Sequence, residues 1–170
     1  IFDLDGTLLW LQVDWREART ALRRIARRFG RASEGVTIWA MLREASGKEA
    51  AALREALCAY EVEGSRHPEV LPSAALLPHL ERETIGVVTL NCRAAAEGAL
   101  RATDLWGDIG ALVAREDTSR LKPDPEPLLL CVEKLGGASE RAVFVGDRDR
   151  DRETAKAAGT AFLSVEDLLA

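Results

Sequence analysis

Beyond Pro72, short apolar runs and amphipathic stretches take turns along the chain, and no other feature narrows the possible folds as far. Residues 85–89, 111–114, 142–146 and 161–164 are apolar on consecutive rather than alternate positions, the pattern of strands covered on both faces. Between them the spacing predicts helices over 72–82, 93–105, 125–135 and 152–158, the third opened by Pro125 and closed by Gly136 and Gly137. Such alternation predicts a parallel, doubly wound α/β sheet with right-handed crossovers.

The chain opens on a further apolar run, Ile1-Phe2-Asp3-Leu4. It is short beside a strand of about 5 to 6 residues, so upstream residues are expected before Ile1. Residues 14–69 read differently. Trp15, Ala18, Leu22, Ile25, Ala26 and Phe29 fall on one helical face, and Gly30 ends that helix. Ser33 is expected to cap a second helix running toward Ala45, and 48–60, rich in Ala, Leu and Glu, reads as a third. The expected organisation is an α/β core of residues 1–13 and 70–170, with a small all-helical unit, 14–69, inserted after the first strand.

Hydrophobic residues at 47% and charged residues at 30% sustain a folded core, and no repeat or linker divides the chain. A formal net charge of −5 argues against general nucleic-acid binding. No apolar run approaches the ~20 residues of a membrane span, and no signal-peptide pattern is visible. Cys58, Cys92 and Cys131 are odd in number, widely spaced and without a CxxC pair. That fits reduced thiols, a cytoplasmic protein and no zinc site.

Ligands of open α/β sheets bind outside the carboxyl ends of the strands. Asp3 and Asp5 leave the first predicted strand there and Thr89 ends the second; Lys122 follows the third, and Asp147 and Asp151 follow the fourth. Four carboxylates gathered in one place repel one another by ~4 kcal/mol per pair at 4 Å and an effective dielectric near 20. The cluster therefore calls for a cation, and all-oxygen ligands suit Mg²⁺. With Lys122 and the Thr89 hydroxyl on the remaining phosphate oxygens, a carboxylate nucleophile would stand within reach of phosphorus.

These residues carry a family resemblance. Phe2-Asp3-Leu4-Asp5-Gly6-Thr7-Leu8 resembles motif I, DxDGT, of the haloacid dehalogenase (HAD) superfamily. Val87-Val88-Thr89 resembles motif II, Leu121-Lys122-Pro123-Asp124-Pro125 motif III, and Val145-Gly146-Asp147-Arg148-Asp149-Arg150-Asp151 the GDxxxD form of motif IV. The resemblance implies a Rossmann-like core with a helical cap between motifs I and II, as in phosphoglycolate phosphatase-like members. It implies a Mg²⁺-dependent phosphatase of a small phosphorylated metabolite, with no nucleic-acid or membrane partner, monomeric or homodimeric. By the same resemblance Asp3 attacks phosphorus and Asp5 serves as acid and then base. Thr89 and Lys122 bind the phosphoryl group, with Asn91 a candidate beside them. Asp3, the Asp5 carbonyl and Asp147 hold the metal, and Asp151 contacts it indirectly. Two positions depart from the pattern: Leu90 stands between Thr89 and Asn91, and Arg148 and Arg150, each free to pair with Asp149 or Asp151, replace smaller residues.

Each motif alone has a plainer reading: Asp5-Gly6 as a hairpin turn, Lys122 as a solvated lysine, Thr89 as a strand residue, Asp149 as a surface carboxylate. The basic run Arg16, Arg19, Arg23, Arg24, Arg27, Arg28 and Arg31 reads first as a solvated face, and second as a recruiter of anionic substrate. Trp10 is expected to pack between cap and core, and His67 and His79 to be structural or exposed. The rival functions are a phosphomutase using the same two aspartates, and a non-catalytic phosphate-binding or interaction module.

Overall fold

The computed structural model describes all 170 residues. The opening segment runs through Leu4 into a tight turn and then β1 (Leu9–Trp10). Three helices follow: α1 (Trp15–Arg28), α2 (Ile38–Glu44) and α3 (Gly47–Gly64). The chain returns through β2 (Glu69–Val70), which pairs antiparallel with β1. From there β3 (Gly86–Val88), α4 (Arg93–Ala102), β4 (Ala111–Val113), α5 (Glu126–Lys134), β5 (Val143–Gly146), α6 (Asp149–Ala158), β6 (Ala161–Ser164) and α7 (Val165–Leu169) complete the order.

The main sheet is parallel. Phe2 bridges Val87 on one side and Val145 on the other. Its N–H donates to the Gly86 carbonyl at 2.8 Å, and the Asp3 N–H to the Val145 carbonyl at 2.9 Å. With β3 paired to β4 and β5 to β6, the spatial order is β4, β3, the opening segment, β5, β6. Successive residues of one strand serve opposite faces. Val87, Leu112 and Val145 pack with Leu77 and with Ala96, Ala99 and Leu100 of α4. Their neighbours Val88, Ala111, Val113 and Phe144 pack with Leu128 and Cys131 of α5 and with Ala155 and Ala158 of α6. This two-sided burial explains the unbroken apolar runs.

The inserted helices have a core of their own, made of Ala18, Leu22, Ala26, Ile38, Met41, Leu42, Leu53 and Leu57. Trp15 and Tyr60 pack on both this core and the sheet's. The Asp14 carboxylate caps α1 by accepting the Glu17 N–H at 2.8 Å.

Several sequence expectations need correction. Ser33 does not cap the second helix: Gly35 at φ +74° interrupts the path, and Thr37 is the cap, accepting the Ala40 N–H at 3.2 Å. The Ser33 hydroxyl is buried without a partner. Residues 72–82 form no α-helix; Pro72–His79 is a 3₁₀ segment containing Pro78, which has no N–H for an α-helical bond. The third inserted helix continues to Gly64, four residues past its predicted end, and α6 begins at Asp149 rather than at 152. α4 stops at Ala102, ahead of the left-handed Asp104. The β1–β2 ribbon and α7 left no legible pattern. Trp10 is 47% exposed on that ribbon, not packed between the two units. Nor are all three cysteines free thiols: Cys58 of α3 and Cys92 at the start of α4 form a disulfide, Cα–Cα 5.6 Å, because α3 lies against α4. Cys131 is free and buried, and burial pushes its thiol up to about 12. No helix is long and apolar enough to cross a membrane.

Candidate active site

The carboxyl ends of the parallel segments converge on one polar cluster. Asp3, 4% exposed, receives the Lys122 ammonium at 2.9 Å on Oδ1. The same Nζ reaches Asp151 Oδ1 at 2.7 Å and the Val88 carbonyl at 3.3 Å. The ammonium is thus hydrogen-bonded to Asp151 and the Val88 carbonyl and ion-paired with Asp3. Asp151 is fully buried in the first turn of α6, and its other oxygen accepts the Arg148 N–H at 3.2 Å. Each Asp151 oxygen thus accepts one hydrogen bond within the protein.

Asp5 lies two residues beyond Asp3, past the end of the ladder. The turn that follows folds back, with the Thr7, Leu8 and Leu9 N–H groups all donating to the Leu4 carbonyl. This return brings the Leu11 N–H to Asp5 Oδ1 at 2.9 Å and fixes that carboxylate. Gly6 makes the turn possible. It holds φ +89°, and a Cβ there would stand 2.6 Å from Asp147 Oδ2. Thr89, directly after β3, donates its hydroxyl to Asn91 Oδ1 at 2.8 Å and accepts the Asn91 N–H at 3.1 Å. The intervening Leu90 thus does not separate the two side chains, and both are buried.

Desolvation dominates the electrostatics. Burial raises Asp3 to about 6, with Asp151 adding to the rise and Lys122 opposing it. Burial also raises Asp5, against the Leu11 hydrogen bond, and Asp147, against Arg148. Oxygen atoms of Asp3, Asp147 and Asp151 all lie within 4.8 Å of one another. An all-carboxylate set fits a small hard cation.

A cavity of about 500 Å³ opens above the cluster. Asp3, Asp5, Thr89, Asn91 and Lys122 line its floor, and α1 and α2 supply Trp15, Arg19, Thr37, Ile38 and Trp39 opposite. The sequence-predicted residues are therefore brought together, with exposed Asp147 and buried Asp151 beside Asp3. Arg148 does not pair with Asp149 or Asp151 through its side chain; its Nε meets Asp147 at 2.7 Å. Arg150 instead sits over the Trp39 ring at 5.5 Å. Asp149 is exposed but lines the cavity. Of the basic run, Arg19 reaches the cavity, while Arg27 pairs with Glu34 and Arg31 with Glu44 and Glu49. His67 and His79 are exposed. Sequence reasoning missed Thr37, Ile38 and Trp39. The cap signal of Thr37 ahead of two apolar residues could have placed that helix start on the cavity.

Comparison with known proteins places the family and the fold. The model of haloacid dehalogenase-like hydrolases matches residues 1–165. Phosphoglycolate phosphatase of Escherichia coli K12 is 36% identical over 75 residues, 44% of this chain and 30% of the relative. That of Salmonella paratyphi A is 35% identical over 81 residues, 48% and 32% of the two chains. The matches thus span about a third of these curated relatives. A crystal structure of a putative phosphoglycolate phosphatase from Lactobacillus plantarum superposes with a TM-score of 0.67 at 26% identity, covering 96% of this chain and 84% of that one. A HAD-superfamily hydrolase from Geobacter sulfurreducens superposes at 0.62 with 27% identity, over 96% and 86%.

Proposed function

This chain belongs to the haloacid dehalogenase-like hydrolase family, and we propose that it hydrolyses a small phosphomonoester through an aspartyl-phosphate on Asp3. The observation that carries this reading is the pairing of Asp3 with Lys122 on the floor of a cavity that Asp5, Thr89 and Asn91 share. A free Asp3 oxygen forms the bond to phosphorus as the bond from phosphorus to the leaving oxygen breaks. Asp5, its affinity for protons raised by burial, delivers a proton to that oxygen. Asp5, now a carboxylate, takes a proton from water as the water oxygen attacks the phosphoaspartate. Inorganic phosphate leaves, and both aspartates regain their starting states. Lys122, the Thr89 hydroxyl and the Asn91 side chain neutralise and orient the phosphoryl oxygens.

Mg²⁺ would be held by Asp3, Asp147 and the main-chain carbonyl of Asp5. When bound, it would compensate the carboxylates and admit a dianionic phosphate. Asp151, which accepts from Lys122 and from the Arg148 N–H, would act on the metal indirectly, by fixing Lys122. The inserted helices serve as a cap over the leaving group. Arg19, Arg148 and Arg150 around the cavity favour a leaving group with a second negative charge. Phosphoglycolate, the substrate in the relatives' name, heads the compounds to screen.

The test is Mg²⁺-dependent release of inorganic phosphate from an aryl phosphate, without any bisphosphate activator. Release that stops in chelator and returns with Mg²⁺ supports the proposal. Full turnover in excess chelator removes the metal assignment. A strict need for a bisphosphate would favour the mutase, and no turnover of any phosphate ester the non-catalytic module.

A further inference from the structure

Thr89 is held by the sheet, its N–H donating to the Val113 carbonyl at 3.0 Å, but residues 90–92 have left it. Two buried charges hold them instead. Arg115, just after β4, sends Nη1 and Nη2 to Glu61 Oε1 and Oε2 at 2.6 and 2.8 Å. The same Nη1 donates to the Leu90 carbonyl at 2.9 Å, and the Arg115 N–H to the Asn91 carbonyl at 3.1 Å. Glu61 Oε2 also accepts the Cys92 N–H at 3.0 Å. Three consecutive residues thus each place a backbone group on this one pair. Glu61 comes from α3, an inserted helix, and its side chain is fully buried; that of Arg115 is 2% exposed.

A buried ion pair is weak evidence for stability, since apolar residues of similar volume often replace one at no cost. What apolar residues would not replace are the side-chain bonds to the Leu90 carbonyl and the Cys92 N–H, which flank Asn91; the bond to the Asn91 carbonyl comes from the Arg115 main chain and remains. We infer that Glu61 and Arg115 are positioning residues: from α3 and from the turn after β4 they clamp the 90–92 loop, and so keep Asn91 and the Thr89 hydroxyl aimed into the cavity. The inference rests on the reading of Thr89 and Asn91 as phosphoryl-binding groups. The Cys58–Cys92 disulfide fixes one end of the loop but leaves the Leu90 and Asn91 carbonyls to Arg115.

The deciding variant replaces both charges, Glu61→Leu with Arg115→Met, and keeps the disulfide. Thermal unfolding reports whether it folds, and kcat and KM for an aryl phosphate are normalised to folded protein. The expected result is a folded protein with a lowered midpoint, since the Leu90 carbonyl and Cys92 N–H lose their partners, with kcat down about 10- to 100-fold, as when groups that orient a reacting side chain are lost, and KM little changed. Hydrogen exchange across residues 89–92 should quicken, with α5 unaffected. Wild-type kcat with wild-type exchange in the folded double variant would overturn the inference. Should that variant not fold, Arg115→Lys decides the matter, because lysine keeps the charge opposite Glu61 but loses the two-pronged contact. A kcat within about two-fold of wild type there overturns the clamp, and a larger fall with unchanged folded fraction supports it. A wild-type protein without phosphatase activity would break the functional proposal, while the exchange measurement would still judge the clamp.

Discussion

The floor and the roof of the cavity are built on different physical terms. On the floor, Asp3, Thr89, Asn91 and Lys122 are each at most 4% exposed and Asp5 is half-buried, and the ammonium, carboxylate and hydroxyl groups are tied to partners at set distances. On the roof, Arg19 and Thr37 are exposed, and Trp15 and Trp39 are only partly covered. Charge that must be in place before a bond breaks is worth most where dipoles cannot reorganise, and that requires burial on rigid strands. Recognition of a leaving group needs only complementary chemistry on adaptable side chains. The comparison therefore predicts that floor substitutions act on kcat and roof substitutions on KM.

The largest effects should separate two floor residues that stand two positions apart. Asp3→Asn should lower activity by several orders of magnitude and leave no phosphoenzyme, because it removes the group that forms the covalent bond. Asp5→Asn should still load phosphate onto Asp3 from an aryl phosphate, which needs little protonation, and then release it slowly for want of a base. Acid quenching after a single turnover, followed by peptide mass spectrometry, checks both. Label on the Asp3→Asn protein would break the assignment.

Next in size, Gly6→Ala should push the turn and Asp147 apart. The left-handed backbone alone costs about 1–3 kcal/mol. With the carboxylate displaced, kcat should fall by roughly 100-fold, as for misplacement of about 1 Å at a reacting centre. A lowered unfolding midpoint together with a weaker Mg²⁺ requirement curve is the signature to measure.

A smaller effect concerns protons. The folded-state affinities of Asp3, Asp5 and Asp147 are raised, so protonation favours the folded state and that contribution is lost as pH rises through about 6 for Asp3. Mg²⁺ competes for the same oxygens. Its stabilisation of the metal-free protein in calorimetry should be larger near pH 7.5 than near pH 5. Ca²⁺, with longer bonds, should stabilise without supporting turnover. An equal shift at both pH values would remove the link between the carboxylate cluster and the metal.

The smallest effect belongs to the roof. Arg19→Gln should raise KM about 2- to 5-fold, the worth of an exposed charge contact, and flatten the salt dependence of kcat/KM with kcat unchanged. Arg27→Gln, whose partner is Glu34, should do nothing measurable. A fall in kcat for Arg19→Gln would erase the distinction between floor and roof.

That distinction also explains what could be read from the sequence. Asp3, Thr89 and Asp147 lie directly at strand ends, and strands announce themselves by unbroken apolar runs, while Lys122 lies in the loop well beyond the end of β4 and is legible only from its motif. The roof depends on how three helices fold back, which a helix's own periodicity does not encode. Trp39 met Arg150 and Cys58 met Cys92 only through packing between units distant in the sequence. Glu61 lay within a stretch of Ala, Leu and Glu where a buried carboxylate reads like any solvated one. The β1–β2 ribbon is two residues a side, too short to show a period.

The inserted helices leave the core at Val13 and rejoin it at Gly64, and the Gln12 N–H donates to the Gly64 carbonyl at 2.9 Å. Exit and entry are therefore adjacent, and the sheet can close whatever is carried between them. An exchange of this segment for another would leave the hydrogen bonds of the sheet itself in place. Glu61 sets the condition on any such exchange. A substituted segment must bring its own acceptor for Arg115 and Cys92, or the recipient gene must change codon 115 as well.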